Sequence, residues 1–315
     1  MFALLASRVM VFGAYLLFCW RLIPELRTLQ FLNARSVIEL MRFGGWLTVS
    51  NIIGPLMAYM DRFIIGMQIG VGAVAYYATT YDMVTKLWII SGSLLSVLFP
   101  VFSSFAVNDA GGLTNLFARA VKYIGLVLTP CVIIIVIFGQ HFLQSWIGKD
   151  FATNSATVLQ LLAIGVLACA VAQVPYNALQ AIGYPQLIAK IQMVELPLYL
   201  GMLWYAAPLY GITGMAIAWL VRIVVDTTLL FWFFYRIVDT PIYDVKKTII
   251  PAILGVAITG SLAYLSSYVV TNTYLKVILC SIALLLFTFY TWRTLLDAEK
   301  QDVRRLLNWC VGIVR

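Results

Sequence analysis

The sequence has few charges, almost no histidine, and cysteines in no recognisable pattern. Only 11% of its 315 residues are charged, 63% are hydrophobic, and the mean hydropathy is +0.95. A water-soluble domain of this size cannot cover its surface with so few polar groups. His141 is the only histidine, which excludes a histidine-rich metal site. The five cysteines stand singly without CxxC spacing, so no disulfide framework, thiolate metal site or other cofactor is expected.

Motifs that carry catalysis are also missing. The sequence contains no phosphate-binding glycine loop, no metal-ligand cluster and no recognisable pairing of a nucleophile with a general base. We therefore predict a protein that is not an enzyme. Membrane lipids are expected partners, and nucleic acid is not.

Long apolar runs take up most of the chain. A helix needs about 20 mostly apolar residues to cross the ~30 Å hydrocarbon layer of a bilayer. By this measure the fold class is all-α, a polytopic helical membrane protein with about nine transmembrane helices. The predicted spans cover residues 2–20, 45–66, 83–105, 118–139, 156–181, 187–208, 212–235, 248–270 and 273–293.

Basic residues lie mainly on alternate loops. Because basic loops stay in the cytoplasm, this predicts a multi-pass protein of the plasma (inner) membrane with a cytoplasmic C-terminus. The opposite loops carry little beyond Lys149 and Lys276. Fifteen of the 21 basic residues lie on the predicted cytoplasmic side: Arg21, Arg27, Arg35, Arg42, Arg119, Lys122, Lys190, Arg236, Lys246, Lys247, Arg293, Lys300, Arg304, Arg305 and Arg315.

The start of the sequence agrees poorly with this orientation. An odd number of spans with a cytoplasmic C-terminus places the N-terminus outside, yet Met1 directly begins the first predicted span. We therefore expect further helices upstream of this sequence. No secretory signal is predicted, because a basic leading region and a small-residue cleavage site are missing.

Ionisable residues occur inside the predicted spans. A charge at the centre of a spanning helix costs about 2.5–3.5 kcal/mol, so it usually faces a partner or a water-filled cavity. Four basic and four acidic residues fall within spans or at their edges: Arg8, Arg62, Lys86, Arg222, Asp61, Asp82, Glu195 and Asp226. Their roles are either to line a hydrated groove or to form structural ion pairs.

Spacing predicts partners for some of these charges. Asp82 and Lys86 are four residues apart, as are Arg222 and Asp226, so each pair shares one helix face. Asp61 and its neighbour Arg62 point about 100° apart, so each needs a partner from another helix.

The third predicted span has a polar and small-residue face. Residues on it recur at steps of three, four or seven: Asp82, Lys86, Ser93, Ser96, Pro100 and Ser103. This face either lines an aqueous groove or lets neighbouring helices approach closely.

Residues 175–200, PYNALQAIGYPQLIAKIQMVELPLYL, are unusually polar for this chain. Gly183 and Pro185 predict a tight turn between two spans. Pro175 and Pro197 lie inside spans and predict kinks, which transporters use at binding sites. Candidates to hydrogen-bond a polar substrate are Asn177, Gln180, Gln192 and Glu195. The alternative is that these side chains join the fifth and sixth spans.

Four phrases carry a resemblance to a known family. They are FGGWLTVSNIIGPLMAYMDRFIIG (43–66), LFPVFSSF (98–105), residues 175–200 quoted above, and YGITGMAIAWLVRIVVD (210–226). In this order and spacing they resemble the polysaccharide exporters, or O-antigen repeat-unit flippases, of the multidrug/oligosaccharidyl-lipid/polysaccharide flippase superfamily. Members have two six-helix lobes around a central cavity, and this sequence departs from them by lacking the first five helices.

The resemblance implies a division of the chain. Residues 1–20 correspond to the last helix of an incomplete N-terminal lobe, and residues 21–44 to a cytoplasmic interfacial linker helix. Residues 45–236 correspond to the C-terminal six-helix lobe, residues 237–293 to two extra transmembrane helices, and residues 294–315 to a cytoplasmic tail.

The resemblance also implies a function. The protein would move undecaprenyl-diphosphate-linked oligosaccharide across the plasma membrane by alternating access, for cell-surface polysaccharide such as lipopolysaccharide. Cations suit a diphosphate, and the expected substrate contacts are Arg62, Lys86, Arg222, Glu195, Asn177 and Gln180. The remaining acids, Asp61, Asp82 and Asp226, are expected to pair with these charges or to couple transport to an ion.

Two other readings remain open. One is a cation-coupled antiporter for drugs or small molecules, which needs unpaired acids in the groove. The other is a truncated, inactive remnant or a scaffold. The expected protein partner of this chain is a missing N-terminal lobe or a second copy of the chain.

Overall fold

The computed structural model describes residues 2–22, 34–108 and 110–238, together with residues 261, 277–278 and 280–287. Every regular element among these residues is an α-helix, which confirms the predicted all-α fold class. The predicted span 248–270 except for residue 261, much of the span 273–293, the tail 294–315 and linker residues 23–33 lie outside the described residues.

Seven helices have defined bounds. They are α1 (Phe2–Leu22), α2 (Ala34–Gln68), α3 (Val71–Thr85), α4 (Trp88–Asn108), α5 (Ala110–Trp146), α6 (Lys149–Ala181) and α7 (Pro185–Val238). Five of them, α1, α4, α5, α6 and α7, are long and apolar enough to cross a membrane. This confirms a polytopic membrane protein, and the number of nine spans stays a prediction.

Residues 1–48 form the first of two compact units. The described side chains of α1 are exposed, and only Gly13 is partly buried. The start of α2 belongs to this unit, where the Thr48 hydroxyl donates to the carbonyl of Gly44 at 2.9 Å. Helix α2 continues unbroken past position 44, where the linker was expected to give way to the second span.

The second unit, residues 49–315, is built around α6. Helices α3, α4, α5 and α7 all pack against it. Small side chains and glycine let them approach closely, as in membrane helix bundles. Gly165 illustrates this, because a Cβ atom there would lie 2.2 Å from Cζ3 of Trp219 in α7.

Short turns connect the helices of this unit. Gly70 precedes α3 with φ of 127° and Gly148 precedes α6 with φ of 137°, a region of backbone space that glycine reaches without a steric penalty. The turn between α6 and α7 contains Gly183, and α7 begins at Pro185. This confirms the tight turn that Gly183 and Pro185 predicted.

Helix α7 consists of two helical arms that run antiparallel to each other. Gly211 has non-helical angles, φ 58° and ψ −143°. The guanidinium carbon of Arg222 lies 5.0 Å from the ring centroid of Tyr199, although 23 residues of straight helix would separate them by about 34 Å. The chain therefore reverses at Gly211, which agrees with the predicted separate spans 187–208 and 212–235. Pro175 and Pro197 both lie inside helices without a non-helical residue beside them, and the kinks at these positions stay a prediction.

The third predicted span is corrected by the structure. Helix α3 begins at Val71, twelve residues before the predicted start at 83. A short interruption at Lys86 and Leu87 then separates it from α4, and the amide of Leu87 donates to the carbonyl of Val84 at 3.1 Å. The threonines that make this stretch look like a loop are satisfied inside the helix, because Thr80 and Thr85 donate to carbonyls three and four residues earlier.

Candidate functional site

A groove of about 470 Å³ opens between α2 and the junction of α3 with α4. We call it the α2–α3 groove. It is lined by Ala58, Tyr59, Arg62, Tyr81, Asp82, Thr85, Lys86, Trp88 and Ile89. Three charged residues that the sequence analysis singled out line this groove, namely Arg62, Asp82 and Lys86.

Arg62 is held by partners on both sides of the groove. Its Nη2 donates to Asp82 Oδ1 at 2.7 Å, which joins α2 to α3. Its guanidinium carbon also lies 5.1 Å from the ring centroids of Tyr59 and Tyr81. Such cation–π contacts add to the ion pair, so Arg62 is a fixed part of the groove wall.

Lys86 differs from Arg62 in being exposed and unpaired. The predicted ion pair with Asp82 is not formed, because Asp82 bonds to Arg62 across the groove. Within the described part of the chain, Lys86 has no salt bridge. Lys86 therefore presents a free ammonium group to the groove.

A second group of polar side chains lies deeper in the bundle. We call it the buried cluster, and it contains Asp61, Tyr77, Glu195, Tyr199, Arg222 and Asp226. Arg222 lies 11 residues after Gly211 and 16 before the end of α7. At 1.5 Å per residue these separations are about 16 and 24 Å, so the cluster lies well inside a ~30 Å hydrocarbon layer.

Asp61 connects the buried cluster to the groove. Its side chain is fully buried, and Oδ1 accepts a hydrogen bond from the amide of Arg62 at 2.7 Å. Arg62, Arg222 and Tyr77 all interact electrostatically with this carboxyl group. Oδ2 nevertheless has no hydrogen-bond partner of good geometry in the described structure. Residues of other helices, Arg222 and Tyr77, therefore interact electrostatically with Asp61, whereas its hydrogen bond comes from its own helix.

Glu195 faces Arg222 and Asp226 across the reversal in α7. It is 6% exposed, and neither carboxyl oxygen has a hydrogen-bond partner in the described structure. Asp226 and Arg222 are its electrostatic neighbours. Spacing alone paired Arg222 with Asp226. Among the described residues the two side chains interact electrostatically but form no salt bridge, and Glu195 joins them as a second acid beside Arg222.

Arg222 also contacts apolar and aromatic partners. Its Nη1 lies 3.8 Å from the sulfur of Met57 in α2, and its guanidinium stacks on Tyr199. It does not line the α2–α3 groove. The three predicted cations are therefore divided, with Arg62 and Lys86 at the groove and Arg222 in the buried cluster.

Asn177 and Gln180 belong to neither group. The amide of Asn177 donates to the carbonyl of Gln173 in its own helix at 2.7 Å. Gln180 interacts with Tyr176, also in α6. Gln173 in turn accepts a hydrogen bond from Ser91 of α4 at 3.0 Å. The contacts of Asn177 and Gln180 thus stay within α6, and of these three amides only that of Gln173, which precedes the polar segment, joins α6 to another helix.

The serine face of the third span is not the wall of the groove. Ser93 and Ser96 are exposed and donate to carbonyls of their own helix. Ser103 donates to the carbonyl of Ala181 at 3.0 Å and so joins α4 to α6. The interruption at Lys86 and Leu87 changes the helix phase, which is why the predicted continuous face fails.

Aromatic side chains are what the sequence analysis missed. Tyr59, Tyr81 and Trp88 line the groove, and Tyr77 and Tyr199 belong to the buried cluster. A signal was present in the spacing of Tyr77, Tyr81 and Trp88, which are four and seven residues apart and so lie near one helix face. In an apolar chain this stripe is easily taken for lipid-facing surface.

These features define a class of protein. Apolar helices that cross a membrane enclose charged groups at depth and leave a polar groove open, as in membrane transporters. Residues 1–155 match the model of the family described as polysaccharide biosynthesis protein. Together with the relatives described next, this match supports the resemblance to polysaccharide flippases.

Known relatives support this resemblance. A protein of Shigella flexneri assigned as an O-antigen transporter is 35% identical over 198 residues, which cover 63% of this chain and 47% of the relative. A protein of Haloferax volcanii assigned as a flippase of low-salt glycan biosynthesis is 25% identical over 65% of this chain and 43% of its own length. An uncharacterised membrane protein of Methanocaldococcus jannaschii is 20% identical over 83% of this chain and 52% of its own length. The chain thus spans about half the length of these curated relatives.

Both relatives with a named activity are named for transport and not for catalysis. This agrees with the prediction that the protein is not an enzyme.

Proposed function

We propose that this chain forms one lobe of a flippase that moves a polyprenyl-diphosphate-linked oligosaccharide, built on undecaprenyl, from the inner to the outer leaflet of the plasma membrane. The observation that carries the proposal is the α2–α3 groove, in which Lys86 and the Arg62–Asp82 pair lie within an apolar helical bundle. A glycan and a diphosphate need such a hydrated path, while the polyprenyl tail remains in lipid.

The charges of the groove suit an anionic lipid head group. Lys86 is exposed and unpaired within the described residues, so it is available to a phosphate oxygen. Arg62 supports the positive potential of the wall although its own bonds are directed at Asp82. Arg222 acts at a distance, by balancing Glu195 and Asp226 beneath the groove.

A second wall is needed to enclose the substrate. The Tyr59 side chain is 53% exposed and that of Asp82 is 62% exposed, so the groove is open on one side. We propose that a second lobe closes it, supplied by further helices of a longer chain or by a second copy. Rocking of the two lobes would then give alternating access.

A complementation experiment tests this function. The chain, alone and together with the N-terminal half of its Shigella flexneri relative, is expressed in a strain that lacks its repeat-unit flippase. Surface polysaccharide and lipid-linked repeat units are then measured. We expect wild type to restore the surface polysaccharide, Lys86→Met to lower it by about tenfold, and Lys86→Arg to retain most of it. Lys149→Met, which removes an exposed cation outside the groove, is the matched control.

The outcomes of the complementation experiment test the flippase proposal and the role of Lys86 separately. If wild type reaches the membrane but restores nothing in either arrangement, the flippase proposal is wrong. If Lys86→Met restores as much surface polysaccharide as wild type, the flippase proposal stands and the proposed contact of Lys86 with the diphosphate is wrong.

A cation-coupled antiporter is the second candidate, because Asp61 and Glu195 are buried acids with unpartnered oxygens in the described structure. An antiporter loses drug or dye export when either acid is neutralised, whereas Lys86→Met leaves that export intact. The flippase proposal predicts the opposite order of effects on surface polysaccharide.

A further inference from the structure

The α2–α3 groove contains more than cations. Tyr59 presents an exposed aromatic ring, and Asp82 presents a carboxylate of which only Oδ1 is bonded to Arg62. Neither group attracts a phosphate, since one is neutral and the other negative. Both need an explanation beyond recognition of the diphosphate.

Arg62 is poorly placed to bind a phosphate directly. Its guanidinium is engaged by Asp82 at 2.7 Å and lies against two aromatic rings. Releasing it would break an ion pair and expose Asp82 without a partner. The free cation of the groove is therefore Lys86, as judged from the described residues.

Lys86 and Asp82 have a defined separation. They are four residues apart along α3, and Lys86 still has helical angles as the C-cap. This places Asp82 about 6 Å along the axis from Lys86, where it bonds to Arg62, and Tyr59 lies against the same guanidinium. A sugar esterified to a diphosphate begins one oxygen beyond the second phosphorus, so its ring reaches this neighbouring position.

We propose that the groove has two subsites, an anion subsite at Lys86 and a sugar subsite formed by Tyr59 and Asp82 that takes the first pyranose ring after the diphosphate. This rests on the proposed function and adds the part of the substrate that sets its selectivity. The ring face of Tyr59 packs against the C–H groups of the sugar. The free oxygen of Asp82 accepts hydrogen bonds from sugar hydroxyl groups, while the Arg62 pair fixes the orientation of the carboxylate.

The test is direct binding by the purified chain in lipid nanodiscs. Two probes are compared, a short polyprenyl diphosphate and the same lipid carrying one hexose on the diphosphate. We expect wild type to bind the glycosylated lipid more tightly. Tyr59→Ala should remove this preference, a loss of roughly three- to tenfold for the glycosylated lipid alone. Lys86→Met should weaken both lipids.

Two controls isolate the aromatic ring. Tyr59→Phe keeps the ring and should keep the preference. Tyr205→Ala removes a tyrosine that is 74% exposed on α7 and outside the groove lining, and it should leave both affinities unchanged.

Each outcome is decisive. A preference that persists in Tyr59→Ala, or an equal loss for both lipids, overturns the sugar subsite and leaves the proposed function intact. If wild type binds the bare lipid as tightly as the glycosylated lipid, the sugar subsite is likewise overturned and the proposed function stays intact. The measurement is repeated with the N-terminal half of the Shigella flexneri relative present, and failure of wild type to bind either lipid in both arrangements overturns the proposed function itself.

Discussion

Arg62 and Arg222 carry the same charge in different surroundings. Arg62 is partly exposed and is bonded to a single acid at the groove. Arg222 lies between Met57 and Tyr199, and it balances the carboxyl groups of Glu195 and Asp226. The first is part of a surface that meets the substrate, and the second is part of the electrostatic support beneath it.

Removing Arg222 should destabilise the protein more than removing a surface cation. Arg222→Met leaves Glu195 and Asp226 without the positive charge that interacts with both of them, and uncompensated charges among membrane-spanning helices are costly. Thermal unfolding in detergent, followed by size-exclusion fluorescence, should show a clear drop in the midpoint. Arg236→Met, which removes an exposed cation stacked on Trp232, is the matched control.

A second variant tests the physical reason for this effect. If the loss comes from uncompensated acids, adding Glu195→Gln to Arg222→Met should recover part of the midpoint. A double variant that is no more stable than Arg222→Met would show that Arg222 acts mainly through packing.

Sequence spacing was of limited use for predicting these partners. It indicated that Arg62 needs a partner from another helix, and Arg62 of α2 bonds to Asp82 of α3. It paired Asp82 with Lys86 because they share a helix face, but Arg62 of α2 is the partner of Asp82. Local periodicity describes one helix, whereas these pairs are formed between helices.

At the scale of elements, α6 organises the second unit. Most of its side chains are buried, and four helices pack on it. The apolar pattern of residues 156–181 predicted a spanning helix there but not its central position. A helix that is apolar all round has no preferred face, so its neighbours cannot be assigned from sequence.

Gly165 should be essential to the contact between α6 and α7. A Cβ at this position would lie 2.2 Å from Cζ3 of Trp219, so Gly165→Ala requires the helices or the indole to move. Overpacking of this kind typically costs about 1–3 kcal/mol, and we expect a lower unfolding midpoint in detergent. Gly125→Ala in α5, where nothing lies within 4 Å of the added methyl group, is the matched control and should have little effect.

Trp219→Phe provides the complementary test. It removes the ring atoms that a methyl group at residue 165 would meet. The double variant Gly165→Ala/Trp219→Phe should therefore be less impaired than the sum of the two single variants. If the effects of the two single variants on the unfolding midpoint simply add up in the double variant, a direct clash between residues 165 and 219 is contradicted.

The interruption between α3 and α4 shows where element prediction fails. Residues 85–88 contain neither glycine nor proline, the usual signals of a helix break. The break instead coincides with the groove, where Lys86 and Trp88 turn toward the cavity. The reversal at residue 211 was found because glycine and the surrounding apolar runs mark it in the sequence.

At the scale of the whole molecule, the turns of the second unit separate the charges into two ends. The turn at residues 182–184 lies at the same end as Lys190, and the alternation of α5, α6 and the two arms of α7 places Arg236 there as well. The turn at residues 147–148 lies at the opposite end, next to Lys149 and Asp150. The resemblance to polysaccharide flippases could be drawn from four phrases, three of which contain charged residues of the groove or of the buried cluster.

Orientation in the membrane follows from this charge separation and can be measured. Basic residues favour the cytoplasmic side, so the turn at 182–184 should face the cytoplasm and the turn at 147–148 the outside. Tyr184→Cys and Ile147→Cys, both exposed positions, are introduced into a variant in which all five native cysteines are serine. In intact cells a membrane-impermeant maleimide should label Ile147→Cys, and Tyr184→Cys should become labelled only after permeabilisation. The reverse pattern would place the C-terminal end of α7 outside, and it would require the anionic lipid to enter the α2–α3 groove from the opposite leaflet.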